Sequence, residues 1–232
     1  MRISIIIPTH NESQNLKELI PYLQKHGGKH IAEILVVDSC SGDDTLSVAK
    51  KLGAKAIKAP CKGRAPQMNF GAQNAQAEVL YFVHADTRPP LSFASDVLQS
   101  IRSGYEMGCY RYVFDQNRWP LSFNAFMTRF DLIFFRGGDQ TFFIPKALFE
   151  KLGGYKEDHL IMEEYEFLRR ARKKHSFRII PKDAVVSSRK YEHNSYFRVN
   201  FANAVIFGMF LFGASQQRML KAYRYLLNYR QS

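Results

Sequence analysis

The 232-residue chain is 46% hydrophobic and 23% charged. That suits a globular domain and excludes both a disordered polymer and a mini-scaffold that needs disulfides or metal to fold. Its formal net charge of +12 is unevenly placed: Tyr165–Ser232 holds 14 Lys/Arg against 3 Asp/Glu, and residues 1–164 hold 19 against 18. A near-neutral body with a basic final third argues against wrapping nucleic acid. It argues for local basic patches facing phosphates, an anionic acceptor or a membrane surface.

Arg2–Pro8 is a short β-branched run, predicted to be a fully buried strand. Leu16, Leu19, Ile20 and Leu23 follow at helical spacing, with Asn11 or Ser13 available as cap. Glu33–Asp38 reads as a second strand, Thr45–Leu52 as a second helix and Lys55–Ala59 as a third strand. A loop with Pro60 and Gly63 then leads into a helix over Ala65–Ala77, and Val79–Val83 forms a fourth strand. Alternating strands and helices imply right-handed crossovers and a mostly parallel sheet. In the second half, helices are expected at Leu91–Ile101, Leu121–Phe135, Lys146–Leu152 and Glu163–Lys174. Strands are expected at Cys109–Phe114, Thr141–Ile144 and Phe177–Ile180.

Cys40, Cys61 and Cys109 are scattered and form no Cys-x-x-Cys pair, so neither a disulfide framework nor a zinc site is expected, and a reducing cytosol is the simple reading. The opening apolar run is too short for a secretory signal. The longest apolar stretch, Val199–Ala214, is interrupted by Asn200 and Asn203 and falls short of a membrane span, so it reads as a buried or interfacial helix.

In open parallel sheets, ligands sit beyond the carboxyl ends of the strands. Strand one ends in Pro8-Thr9-His10-Asn11-Glu12, strand two in Asp38-Ser39 and strand four in His84-Ala85-Asp86-Thr87. Glu12, Asp38 and Asp86 therefore gather at one edge. No Gly-x-Gly-x-x-Gly follows strand one, and neither a Walker-type Gly-Lys-Ser/Thr nor a Gly-x-Ser-x-Gly occurs. A dinucleotide dehydrogenase, a P-loop ATPase and an elbow-type hydrolase are disfavoured. Carboxylates with small polar groups suit a hard divalent cation and a nucleotide.

These motifs resemble the opening of family 2 glycosyltransferases. Gly137-Gly138-Asp139-Gln140, Phe149–Tyr155 and Met162-Glu163-Glu164-Tyr165-Glu166 match that family's second half in order and spacing, so the resemblance covers about residues 2–190. Gly63–Asn69, taken with His84–Thr87 and Gly138-Asp139-Gln140, resembles more particularly a bacterial, radical-SAM-associated subgroup of arsenosugar-biosynthesis type. The resemblance implies the GT-A fold, α/β with a mostly parallel central sheet flanked by helices, as one structural unit. That unit comprises a transferase domain (1–195) and a basic, aromatic helical appendage (196–232).

The resemblance also implies the chemistry. A nucleotide-sugar donor of UDP or GDP type would be held by Pro8, Thr9, Asn11, Glu12, Asp38, Ser39, Arg64, His84 and Ala85. Asp38 would accept from a ring N–H of the base. Arg64, just before a helix N-terminus, would face the diphosphate. The family's Asp-x-Asp motif has His84 at its first position here, which leaves Asp86 to bridge Mg²⁺ or Mn²⁺ to the diphosphate. The family's Glu-Asp pair is Glu163-Glu164 in this chain: Glu164 takes the general-base position, with Glu163 as the alternative. Gly138, Asp139, Gln140 and Arg189 would line the donor-sugar and acceptor side, the last on a segment that closes over the diphosphate. Transfer by one displacement inverts the anomeric centre.

The acceptor is a small molecule or a lipid-linked group. A transferase acting on polyprenyl phosphate or the cell envelope at the membrane is one alternative, and a non-catalytic nucleotide-sugar-binding protein is another. The expected location is cytoplasmic, with the inner membrane face as a peripheral site. For the aromatic tail, packing on the body, a homodimer interface and a membrane surface beside Arg218, Lys221, Arg224 and Arg230 all remain open.

Overall fold

The computed structural model describes residues 1–116, 119–136, 140–192 and 194–227. In chain order the first half runs β1 (Ile3–Thr9), α1 (Ser13–Gly27), β2 (Ile31–Asp38), α2 (Thr45–Lys51), β3 (Lys55–Lys58), α3 (Arg64–Asn74), β4 (Val79–Phe82), β5 (Thr87–Arg88) and α4 (Phe93–Arg102). The second half runs β6 (Met107–Phe114), α5 (Trp119–Met127), β7 (Phe142–Pro145), α6 (Lys146–Lys151), α7 (Glu163–Ala171), β8 (Phe177–Val186), α8 (Tyr196–Leu211) and α9 (Gln216–Leu226).

One 8-stranded sheet has the order β3-β2-β1-β4-β7-β6-β8-β5. β1 pairs in parallel with β2 and β4, β2 with β3, and β6 with β8. β7 runs antiparallel between β4 and β6, and β5 antiparallel on β8. The sheet is therefore mixed. Reversal at β7 leaves β6 and β8 pointing the same way as β1, β2 and β4, so all five open their carboxyl ends on one edge.

The strands are apolar on both sides because both faces are covered. On one face Ile3, Ile5 and Ile7 pack against Leu16, Leu19, Ile20 and Leu23 of α1 and Phe93 and Val97 of α4. On the other, Ile6, Leu35 and Val37 meet Ala65, Met68 and Ala72 of α3, while Phe149 and Phe167 close on Phe82. Gly71 and Gly108 mark close approaches. A side chain on Gly108 would strike the carbonyl oxygen of Arg178 on the neighbouring strand.

Two expectations are corrected. Neither Asn11 nor Ser13 caps α1. Asn11 adopts a left-handed backbone (φ 56°) that its short polar side chain tolerates, and its Oδ1 accepts from the backbone N–H of Gly42. The free N–H of Ser13 is instead satisfied by Asp43 Oδ2 at 3.1 Å. Leu121–Phe135 is not one helix. α5 ends at Met127, and a separate 3₁₀ turn spans Ile133–Phe135. The guanidinium of Arg136 lies between them and donates to the carbonyls of Thr128 (2.5 Å) and Phe130 (2.6 Å), bonds that a continuous helix would not leave available.

α8 and α9 pack on each other and on the body. Ile206, Phe210 and Met219 form a small core with Ile161, Met162 and Tyr165, and Val199, Ala202 and Leu227 form another with Tyr191. Among the described residues no helix is long and apolar enough to cross a membrane.

Candidate active site

The ends of β1 and β2 are tied together before any ligand arrives. Asp38 is buried, and its carboxylate accepts from Ser41 N–H (2.9 Å), from the Ser41 hydroxyl and from Thr9 Oγ1 (3.3 Å). Ser39 N–H donates to the Thr9 carbonyl at 3.0 Å. Beneath them, the buried Gln67 of α3 donates from one Nε2 to the carbonyls of Thr9 (2.8 Å) and Val37 (2.7 Å). The Thr9 carbonyl also accepts from Ser39 N–H and the Val37 carbonyl from the Thr9 hydroxyl (3.4 Å), so Gln67 adds a further bond to each and ties the two strand ends together. Gln67 was absent from the sequence candidates. Its sequence signal is an amide among the small and apolar residues of the buried face of α3.

Glu12 and Asp86, from the ends of β1 and β4, meet across Arg189, which follows β8. Arg189 Nη2 lies 3.1 Å from Glu12 Oε1 and 3.4 Å from Asp86 Oδ2. Residues 12, 86 and 189 are far apart in sequence and converge only because three parallel strands end on the same edge. His84, two residues before Asp86, places Nε2 3.5 Å from Glu164 Oε1. Arg64, at the start of α3, places Nε 3.7 Å from Glu163 Oε1.

The two glutamates open α7, preceded by Met162 in the left-handed region (φ 66°), an uncommon backbone for a residue of that size. Their environments differ. Burial pushes the Glu163 carboxyl up, against the opposing pull of Arg64. Burial also acts on Glu164, but the hydrogen bond from His84 and the charges of His84 and Arg64 outweigh it and hold this carboxyl below the usual glutamate range. The two adjacent acids therefore sit in opposed environments, one raised mainly by burial and the other lowered by His84 and Arg64.

Asp86 keeps 32% of its side chain exposed and offers hard oxygen donors. Among the described residues no cluster of three His, Cys, Asp or Glu side chains could hold a metal by itself. Asp86 therefore fits a divalent cation that takes its other ligands from a diphosphate and water, as Mg²⁺ commonly does.

Of the other candidates, Pro8 is half-buried and Ala85 is buried, so both would act through backbone and shape. Gln140 is buried, its Oε1 3.4 Å from Arg136 Nη1. With Cys109, Thr141 and Glu164 it lines a cavity of about 20 Å³, room for a single water and too small for a sugar ring. Gly138 and Asp139 lie outside the described residues. A larger pocket of about 410 Å³ lies between the second half of β6 and α5, lined by Tyr112, Phe114, Gln116, Phe126, Arg129 and Asp183.

The family model described as "Glycosyl transferase family 2" matches residues 4–156. A dolichol-phosphate mannosyltransferase of Pyrococcus furiosus is 30% identical over 119 residues, which is 49% of this chain and 34% of that protein. An uncharacterised glycosyltransferase of Mycobacterium tuberculosis is 28% identical over 184 residues, 73% of this chain and 68% of that one. This chain thus spans about a third of the archaeal relative. Among solved structures, a mannosyltransferase from Pyrobaculum calidifontis in complex with GDP-Man and Mn²⁺ aligns at TM-score 0.66 with 18% identity, covering 97% of this chain and 69% of that one. At that identity the likeness speaks to the fold, which is GT-A.

Proposed function

The chain belongs to glycosyl transferase family 2, and from that premise we propose that it moves a sugar from a nucleoside-diphosphate donor to an acceptor hydroxyl, with a divalent cation and with inversion. The observation that carries this reading is the convergence on one sheet edge of Glu12, Asp86 and Arg189 with the His84–Glu164 pair. The walls built by Thr9, Asn11, Asp38 and Ser39 would hold the base and ribose. Asp38, already engaged with Ser41 and Thr9, would act mainly by fixing the shape of that wall.

Asp86 would hold Mg²⁺ or Mn²⁺. When bound, that ion neutralises charge on the departing diphosphate. Arg189 and Arg64 would add positive charge on either side of the leaving group. Glu164 would take the proton from the acceptor hydroxyl as its oxygen bonds to the anomeric carbon and the bond to the diphosphate breaks. His84 keeps Glu164 oriented and ionised for that step.

Residues Gly63–Asn69 support a small-molecule acceptor of arsenosugar type through their likeness to that bacterial subgroup. The aromatic pocket beneath α5 is where an apolar part of the acceptor would lie. The exposed aromatic face of α8 favours a second reading, a lipid-linked acceptor at a membrane surface, with a homodimer as the other use of the appendage.

Calorimetry with UDP and GDP, with and without Mn²⁺, tests the proposal. Metal-dependent binding that Asp86→Ala abolishes is expected. Binding indifferent to both changes would refute the metal role, and no binding of either nucleotide would refute the donor class.

A further inference from the structure

α8 is apolar over most of its circumference, interrupted by Arg198, Asn200 and Asn203, a composition more usual for a helix enclosed by protein or lipid than for one at a water-facing surface. Only one side of it is enclosed. Val199, Ala202, Ile206 and Phe210 are buried against the body and α9. The opposite stripe, Phe197, Phe201, Ala204, Gly208 and Leu211, runs on into Phe212 and follows the three- and four-residue spacing of a single helix face. Phe197 is 78% exposed, Phe201 60% and Phe212 93%. α5 is joined to α8 by Asn124 through Asn200 (2.9 Å) and Tyr196 (2.9 Å), and it has its own exposed apolar groups in Trp119 (83% exposed) and Phe123 (57%). A continuous apolar stripe of this size along one helix face marks an interaction face.

Charge identifies the occupant. The sequence after Glu192 contains no Asp or Glu, while it contains Arg198, Arg218, Lys221, Arg224 and Arg230. In α9, the helix paired with α8, Arg218, Lys221 and Arg224 are exposed at three-residue intervals. A second copy would bring another acid-free, cationic appendage toward this one, which like-charge repulsion opposes. An anionic bilayer suits an appendage of this composition: acyl chains take the exposed phenylalanines of α8, and headgroup phosphates attract the cations.

We propose that the exposed aromatic face of α8 docks in the plane of an anionic lipid surface, to which the acid-free, cationic appendage around it is attracted. This inference does not depend on the transfer reaction proposed above.

Flotation of the full chain with vesicles of phosphatidylcholine alone, and with 30% phosphatidylglycerol, tests it. The chain should float with the anionic vesicles and remain below with the neutral ones, and binding should fall steeply with added salt. Phe201→Ser combined with Phe212→Ser should reduce binding at least tenfold, since each removes an apolar group from the acyl boundary. Arg218→Gln with Lys221→Gln and Arg224→Gln should reduce it about a hundredfold, near fivefold for each cation. All five positions are exposed, and a thermal midpoint matching the parent verifies that each variant is folded. Absence of flotation with anionic vesicles overturns the proposal. So does flotation unaffected by both variants, or a concentration-dependent dimer that the phenylalanine variant dissolves. Nucleotide binding by calorimetry is a separate readout and would survive that outcome.

Discussion

Glu164→Gln separates catalysis from binding. The amide is the same size as the carboxylate and keeps an oxygen to face His84 Nε2, now 3.5 Å away, so the start of α7 has no reason to rearrange. What disappears is a base held ionised by His84 and Arg64. General-base catalysis contributes about 10²–10⁴ in rate, or roughly 3–5 kcal/mol of barrier. Nucleoside-diphosphate release from the donor, followed by a coupled assay at saturating acceptor, should therefore slow by at least a hundredfold. The nucleotide Kd measured by calorimetry should stay within about threefold, because the proposed base would touch the acceptor and not the nucleotide. Glu163→Gln is the comparison: it alters the neighbouring carboxyl, which faces Arg64 at 3.7 Å instead of His84, and it should slow transfer far less. Turnover by Glu164→Gln within threefold of the parent would refute the reasoning, and a dead Glu163→Gln beside it would transfer the role to that residue.

Other expectations concern the frame around the site. Glu166 is buried on α7 with Arg170 at 3.1 Å and Lys156 at 3.4 Å; burial opposes its ionisation, but these cations hold its carboxyl below the ordinary glutamate value of 4.5. A depressed folded value means the stabilisation is complete above about pH 4.5 and is lost as pH falls below it. Urea titrations at pH 7 and pH 4 should differ less for Glu166→Gln than for the parent, with the variant about 1–3 kcal/mol weaker at pH 7. Gly108→Ala should cost about 1–3 kcal/mol in the same assay, because the carbonyl of Arg178 is backbone and cannot step aside for a methyl group. Gln67→Leu should cost about 1–2 kcal/mol and weaken nucleotide binding, since it removes the amide that bridges the carbonyls of Thr9 and Val37 at the ends of β1 and β2. Unchanged stability and binding would show that this bridge does not hold the two strand ends.

Much of the first half was legible in the chain itself. β1 and β2 are strings of Ile, Leu and Val because both faces of a central strand are covered, and the Leu spacing of α1 reports the one face it buries. The turn residues after those strands stand out as polar groups against apolar runs, which is why Glu12, Asp38 and Asp86 were visible as candidates. In the second half the same signals misled. Leu121–Phe135 is rich in aromatic residues, and composition alone did not reveal that Arg136 would fold back to take the carbonyls of Thr128 and Phe130 and break the helix.

Periodicity records how much of each segment is hidden from water, and it acts over a few residues, so element type and the carboxyl-end clustering of acids follow from sequence. Strand direction and partner choice are settled by pairings across the whole chain: the antiparallel placement of β7 between β4 and β6, the contact of Arg189 with residues 12 and 86, and the opposite environments of Glu163 and Glu164. Neighbouring letters carry no trace of these, because each depends on which distant group arrives within a few ångströms, and that distance exists only once the sheet has closed.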